Sequence, residues 1–180
     1  VLFSGGADSL CATVDAVRNS GARPVLVSHR SAPNMNAQQE LLASELRKRF
    51  SSWAFPHVSL WVHRSGSDAR ETSQRTRSFL FAVLGGTIAA QLQINDVLLA
   101  DNGIVSLNLP ISRQLWGARA SRSTHPKFIA LFNSLQRLTF STPPVVRNPL
   151  WSRTRPEALK ILSEAGVEDL VQETNSCAPV

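Results

Sequence analysis

Short apolar segments alternate with helix-like segments along the whole of this chain of 180 residues. The apolar segments predict strands at 1–3, 24–28, 57–62, 96–100 and 145–146. Helical spacing of apolar residues predicts helices at 10–19, 38–50, 73–93, 127–138 and 154–165. Parallel strands joined by right-handed helical crossovers form an open sheet or a barrel, and five strands are too few for a barrel. The order therefore predicts an α/β fold, a doubly wound parallel sheet of about five strands with helices on both faces.

Composition argues against three broad classes of protein. Apolar residues make up 43% of the chain and charged residues 18%, which is typical of a folded core rather than of a disordered chain. No apolar run approaches the roughly 18 residues that a membrane span needs, and the first residues resemble a strand, not a signal peptide. The two cysteines are too few for a disulfide scaffold. We therefore expect one cytoplasmic domain over 1–180, and its abrupt ends predict truncation at both of them.

The formal net charge is +6, and sixteen of the nineteen basic residues are arginines. Guanidinium groups recognise phosphate and carboxylate groups through paired hydrogen bonds. The charge therefore indicates an anionic partner, small or large, although an arginine-rich solvated surface would have the same composition.

The hexapeptide 4–9, Ser-Gly-Gly-Ala-Asp-Ser, lies between the first predicted strand and the first predicted helix. In an open parallel sheet, ligands bind beyond the carboxyl ends of the strands, where this hexapeptide lies. Its two glycines allow backbone N–H groups to approach an anion closely, and the following helix points its positive end at the same place. Ser4 and Ser9 add hydroxyl donors. The hexapeptide therefore predicts a site for phosphate or pyrophosphate.

Asp8 is the unexpected member of this hexapeptide. A carboxylate beside a phosphate site is repulsive unless it caps the helix or meets a cation such as Mg²⁺. An ordinary glycine-rich turn with Asp8 or a serine as the helix cap is the simpler alternative. The hexapeptide is not a Walker A loop, because it lacks the lysine that such a loop requires.

Ser-Gly-Gly-x-Asp-Ser at this position resembles the PP-loop of the N-type ATP pyrophosphatases, which cleave ATP to AMP and pyrophosphate while adenylating a substrate. Within that superfamily the chain is most similar to the 7-cyano-7-deazaguanine synthase branch, including its relatives in anti-phage defence clusters. Three further segments carry the resemblance at lower specificity, namely 74–81, 148–157 and 173–177. The resemblance implies a Rossmann-like fold of the HUP type, as in the adenine nucleotide alpha hydrolases.

We expect a site for ATP and Mg²⁺ at the carboxyl ends of the strands. The residues expected to bind the nucleotide are Phe3, Ser4, Gly5, Gly6, Ala7, Asp8, Ser9, Ser28, His29, Ser78, Asn102 and Gly103. The residues expected to act in catalysis are Asp8, Ser9, Arg75 and Arg77.

Two of these residues, Arg75 and Arg77, open the longest predicted helix. Arginine is unfavourable at the positive end of a helix unless an anion compensates it, and a bound polyphosphate would do so. Exposure to solvent, or pairing with Asp68 and Glu71, would also account for both arginines. The segment 102–126 is expected to be a long loop on the substrate side of the sheet.

The two cysteines have different expected roles. Cys11, inside the first predicted helix, is expected to be a small buried apolar residue. Cys177 matches the first cysteine of the zinc site of the resembled family, so it is a candidate Zn²⁺ ligand. Three more cysteines should follow it, and a lone cysteine cannot form a tetrahedral site. Either the sequence stops short of the zinc loop, or this branch lacks the metal.

The expected activity is the adenylation of a small carboxylate, with deazapurine-like chemistry implied by the resemblance. No general base is needed if the nucleophile is already a carboxylate. One alternative is a PP-loop enzyme that modifies tRNA by thiolation or lysidine formation, so a nucleic-acid partner stays open. Another is a nucleotide-binding subunit of a defence complex. A homodimer is compatible with all three, and no membrane partner is expected.

Overall fold

The computed structural model describes residues 1–51, 54–62, 76–108, 112–113 and 124–175. The α-helices of these residues are Ala7–Ser20 (α1), Pro33–Arg49 (α2), Arg77–Gln91 (α3), Gly103–Leu107 (α4), Pro126–Thr139 (α5) and Arg155–Glu164 (α6). The strands are Leu26–His29 (β1), His57–Leu60 (β2), Asp96–Leu98 (β3) and Val145–Arg147 (β4). A 3₁₀-helix, Glu168–Glu173, follows α6. None of the helices in these ranges is long and apolar enough to cross a membrane.

The four strands form two parallel pairs. Strand β1 pairs with β2 from Leu26 opposite His57, and β3 pairs with β4 from Asp96 opposite Val145. The prediction of an α/β fold with parallel strands is therefore confirmed. The pairing within the described residues gives two sheets of two strands each, and not one sheet of five. The continuous five-stranded sheet stays a prediction.

The predicted first strand, 1–3, makes only an isolated parallel bridge, from Leu2 to Val27 of β1. Around this bridge the Phe3 N–H donates to the Val27 carbonyl at 2.7 Å, and the Val27 N–H donates to the Val1 carbonyl at 2.9 Å. On its other side, the Leu2 N–H donates to the carbonyl of Leu98 in β3 at 2.8 Å. The segment 1–3 is therefore hydrogen-bonded to both sheets, although it is too short for a ladder.

Two apolar clusters cover opposite faces of the strands. Phe3 and Leu26 belong to the cluster that contains residues of α1, α2 and α6. Their chain neighbours Leu2 and Val27 belong to the cluster that contains residues of α3 and α5. Successive side chains of a strand point to opposite faces, so this division places helices on both faces of the strands.

Local sequence signals explain several helix ends. Helix α1 ends at Gly21, whose φ of +59° suits glycine, and α6 begins with the expected capping box of Thr154 and Glu157. Helix α2 begins at Pro33, five residues before its predicted start, and proline favours such a first position. The predicted loop 102–126 contains the short helix α4, which Asn102 caps.

Candidate functional site

The loop of residues 4–9 joins the segment 1–3 to helix α1. Gly5 has a φ of +84°, a conformation that favours glycine, and Gly6 is the extended N-cap residue of α1. No side chain of the described residues caps α1. The free N–H groups in the first turn of the helix are therefore left for another acceptor.

Four successive carbonyl oxygens at this loop, those of residues 3–6, each accept a hydrogen bond from the surrounding protein. Their donors, in chain order, are Ser28 Oγ (2.6 Å), Gln39 Nε2 (3.1 Å), the Asn175 N–H (3.1 Å) and the Leu10 N–H (3.1 Å). A trans peptide unit points its carbonyl and the next N–H in opposite directions. Because the carbonyls face the protein, the N–H groups of Ser4, Gly5 and Ala7 face away from it, whereas the Gly6 N–H donates to Ser4 Oγ. An anion at this loop would meet those three N–H groups and no carbonyl oxygen.

The two serine hydroxyls close the loop on itself. Ser4 Oγ accepts from the Gly6 N–H at 3.2 Å and donates to Ser9 Oγ at 3.2 Å. Ser9 Oγ donates to the Gly6 carbonyl at 2.8 Å, and Ser9 is buried. These bonds hold the turn between the strand segment and the helix in one conformation.

Asp8 contacts the end of the neighbouring strand β3. The backbone N–H of Asn102 and its side-chain Nδ2 both donate to Asp8 Oδ2, each at 3.0 Å. Asn102 is only 3% exposed, and its Oδ1 accepts from the Val105 N–H at the start of α4. The sequence prediction places Asp8 and Asn102 in one site, and the structure brings these two residues together.

A buried polar network lies behind Asn102. Asn148 Nδ2 donates to the Asp101 carbonyl at 2.7 Å and to Ser106 Oγ at 2.6 Å. Thr124 Oγ1 donates to Asp101 Oδ2 at 2.9 Å and lies 2.9 Å from Ser106 Oγ. Ser106, Thr124 and Asn148 are buried. The network stabilises the turn after β3, which carries Asn102 to its contact with Asp8.

Gly103 has a packing role in this turn. Its N–H donates to the Arg153 carbonyl at 2.7 Å, and a Cβ atom at this position would collide with the Trp151 carbonyl oxygen. Glycine is therefore required here for the close approach of two backbone segments.

Ser28 is bonded on two sides. Its Oγ donates to the Phe3 carbonyl, and His57 Nε2 lies 2.8 Å from the same Oγ. Glu40 Oε1 lies 3.2 Å from His57 Nδ1. Since the single hydroxyl proton of Ser28 goes to Phe3, His57 Nε2 must donate to Ser28. This polarity is the reverse of a serine nucleophile and its base, and Ser28 is buried.

The remaining predicted residues lie at the ends of β1 and α3. His29 Nε2 lies 3.3 Å from the Val62 carbonyl, whereas its buried Nδ1 makes no hydrogen bond to any described residue. The Arg77 guanidinium lies over the Phe81 ring, 5.3 Å from its centre, and Ser78 is half-buried. The positions of Arg75 and Cys177 lie outside the described residues.

The thiol of Cys11 lies in the buried part of α1. Burial and, secondly, the charge of Asp8 raise its pKa from 9.0 to about 12. The side chain is therefore neutral at ordinary pH and suits the expected packing role better than a nucleophilic one. The described residues contain no cluster of three or more His, Cys, Asp or Glu side chains that could hold a metal ion.

Two residues that touch the loop were not predicted from the sequence. Gln39 is 1% exposed and lies on the buried face of α2 with Leu42 and Leu46. A polar residue at an apolar position of a helix is a signal that could have identified it. Asn175 reaches the Gly5 carbonyl from the far end of the chain, and no local pattern indicates such a contact.

A cavity of about 490 Å³ lies away from this loop, among residues such as Val1, Val25 and Asp96. None of residues 4–9 lines it. We place the candidate site at the loop, where the backbone donors lie, because the volume of a cavity alone identifies no ligand. No protein-family model matches the chain, and no curated protein matches it significantly.

Proposed function

We propose that the chain binds ATP at the loop 4–9 and transfers its AMP moiety to a small carboxylate, so that pyrophosphate leaves and an acyl adenylate forms. AMP is then released when water or a second nucleophile attacks the acyl carbon of that adenylate. The observation that carries the proposal is the bonding of the carbonyls of residues 3–6 to the protein, which turns the N–H groups of Ser4, Gly5 and Ala7 outward. The positive end of α1 adds to the same electrostatic environment. The resemblance of 4–9 to the PP-loop of ATP pyrophosphatases assigns the phosphates to ATP and the reaction to AMP formation.

We further propose that the five strand segments form one sheet in the order β2, β1, 1–3, β3 and β4. The hydrogen bonds of Leu2 to Leu98 and of Phe3 to Val27 support this order. In this order the chain runs from 1–3 outward through β1 and β2 on one side of the sheet. It then crosses to the other side of 1–3 and continues through β3 and β4. Such a reversal opens a crevice at the carboxyl ends of the strands, where ligands of doubly wound sheets bind. The contact between Asp8 and Asn102 crosses this crevice.

The charge of a bound polyphosphate requires a cation beside Asp8. Both hydrogen bonds from Asn102 end on Oδ2, so neither of them occupies Oδ1. Mg²⁺ is commonly held by one or two carboxylates together with substrate phosphates, and a single oxygen of Asp8 would match this type of coordination. When bound there, Mg²⁺ would neutralise phosphate charge.

The transferred α-phosphate needs positive charge in the transition state and no base, because a carboxylate nucleophile is already ionised. Arg77 at the start of α3 is the described residue that we assign to this role, and Arg75 is its predicted companion. The ring of Phe81 beneath the guanidinium of Arg77 helps to hold it in place. The resemblance favours a deazapurine-like carboxylate as the substrate.

The proposal is tested by incubating the protein with MgATP, labelled at the α-phosphate, and a panel of small carboxylates. With at least one carboxylate we expect pyrophosphate together with an acyl adenylate, or with AMP where the adenylate is hydrolysed. Calorimetry should show ATP binding whichever carboxylate is present. Asp8→Ala and Ser9→Ala should weaken MgATP binding without unfolding the protein, which circular dichroism checks. ATP binding without formation of AMP or an acyl adenylate would instead indicate a nucleotide switch. Unchanged affinity in both variants would refute the loop assignment.

A further inference from the structure

Asp8 and Asn102 are joined by two hydrogen bonds, although 94 positions separate them in the chain. Asp8 is the second residue of α1, and Asn102 follows strand β3. A carboxylate in the first turn of a helix is favoured there in any case by the helix dipole. The two bonds from Asn102 also fix the orientation of the Asp8 carboxylate, because both donors approach the same oxygen, Oδ2.

The side chain of Asn102 is itself held in one orientation. Its Oδ1 accepts from the Val105 N–H at 3.3 Å, which leaves Nδ2 to face Asp8. The alternative amide orientation would point two donors at the Val105 N–H and an acceptor at a carboxylate. The preceding carbonyl, of Asp101, is held by Asn148 at 2.7 Å. These two hydrogen bonds hold Asn102 in the orientation in which Nδ2 faces Asp8.

We propose that Asn102 is a positioning residue, which fixes Oδ2 of Asp8 so that Oδ1 faces the cation that accompanies the nucleotide. This inference rests on the proposed function for the meaning of the cation. It changes the expected part of Asn102 from a group that touches the nucleotide to one that acts through Asp8. A second acidic residue in its place would be unsuitable, because two carboxylates would then share one buried contact.

The variant Asn102→Asp separates positioning from capping. Aspartate caps a helix as well as asparagine does, so α4 keeps its cap. The side-chain donor to Asp8 is lost and a like charge is added, while the backbone N–H of residue 102 stays. We expect its affinity for MgATP to fall about 10- to 100-fold, the usual range for losing a hydrogen bond to a charged group. Affinity for ATP in EDTA should change less. Thr154→Ala, which removes the cap of α6 instead, is the control for lost stability alone.

The exchange variant Asp8→Asn with Asn102→Asp restores a donor and an acceptor in reversed order. We expect it to recover stability relative to Asn102→Asp, but not the dependence of ATP binding on Mg²⁺. Recovered Mg²⁺ dependence in this variant, which lacks the Asp8 carboxylate, would show that the cation does not depend on Asp8. That result, or wild-type MgATP affinity in Asn102→Asp, would overturn the positioning role.

A separate measurement covers the case in which the wild-type protein binds no ATP, which would refute the proposed function. Urea midpoints are compared for Asp8→Ala, Asn102→Ser and the double variant. If Asn102 holds Asp8, the double variant should lose clearly less than the sum of the two single losses. Additive losses would overturn the inference whether or not the protein binds ATP.

Discussion

The buried side chain of Gln39 donates a hydrogen bond of 3.1 Å from Nε2 to the carbonyl oxygen of Ser4. Its Oε1 is buried and has no hydrogen-bond partner among the described residues. A buried unpaired acceptor is unfavourable, so the amide contributes to this site through its donor and at some cost to stability. The bond connects helix α2 to the first carbonyl inside the glycine loop.

Replacing Gln39 should therefore separate stability from phosphate binding. In Gln39→Leu the unpaired Oε1 disappears while the Ser4 carbonyl loses its donor, so we expect a change in unfolding free energy within about 1–2 kcal/mol. MgATP affinity should fall about tenfold, because the Ser4 carbonyl can then turn toward the phosphates. Urea unfolding and calorimetry measure the two effects. Full MgATP affinity in Gln39→Leu would show that this carbonyl needs no anchor.

Two glycines with positive φ, Gly5 and Gly166, provide a matched comparison for the loop. Gly5→Ala, at a φ of +84°, and Gly166→Ala, at +67°, should each cost about 1–2 kcal/mol of stability, the usual strain of a left-handed residue. A Cβ at Gly5 would also lie 3.3 Å from Gln39 Cγ, whereas nothing lies within 4 Å of one at Gly166. We expect only Gly5→Ala to weaken MgATP binding, in a titration of both folded variants. Equal weakening in the two would attribute the effect to stability.

The sequence predicts those parts of the fold and site that local patterns encode. The loop 4–9 and the capping box at Thr154 are contiguous motifs, and apolar spacing locates most strands and helices within a few residues. Helix α4 was missed because five residues carry no periodic pattern. The bonds from Gln39 to Ser4 and from Asn148 to Asp101 join residues 35 and 47 positions apart. Such pairs depend on how the elements pack, and one sequence does not encode them in any local pattern.

The link from His57 through Ser28 to Phe3 predicts which imidazole nitrogen of His57 donates. Because Ser28 donates to the Phe3 carbonyl, His57 Nε2 should carry a hydrogen. Long-range proton–nitrogen NMR correlations of the imidazole measure this directly. An unprotonated Nε2 would contradict the assigned direction of both bonds.

The same link should stabilise the strand segment that leads into the glycine loop. Ser28→Ala leaves the Phe3 carbonyl and the His57 N–H unpaired in a buried place, and we expect a loss of about 1–3 kcal/mol. Ser59→Ala is the matched control, because Ser59 lies opposite Ser28 on β2 and is only half-buried. Its loss of unfolding free energy should be smaller. Equal losses of unfolding free energy in the two variants, measured by urea unfolding, would show that the hydrogen bonds of Ser28 add nothing to stability beyond those of a half-buried serine.

Arg49 of α2 and Asp169 of the 3₁₀-helix form a bidentate ion pair, in which Nη1 donates to Oδ1 at 2.7 Å and Nη2 donates to Oδ2 at 2.6 Å. Hydrogen bonding to Arg49 lowers the pKa of Asp169 below its usual value. The pair therefore stabilises the fold above the unfolded pKa of Asp169, and this contribution is lost as pH falls through the lowered folded value. The difference in urea midpoint between wild type and Asp169→Asn should be present at pH 6 and shrink in acid. A difference that is constant with pH would contradict the pairing.

Cys11 should make the protein less stable in alkaline solution. Its pKa is raised from 9.0 to about 12 in the folded protein, chiefly by burial and secondly by Asp8. Above pH 9 the unfolded chain therefore releases a proton that the folded chain retains, so stability falls as pH rises, by at most about 1.4 kcal/mol per pH unit. Cys11→Ala lacks this proton, and Cys177 is present in both proteins. The unfolding free energies of wild type and Cys11→Ala are measured at pH 8 and at pH 10.5. Between these pH values the wild type should lose more stability than the variant. If the two proteins lose stability in parallel, the Cys11 thiol does not have the raised pKa.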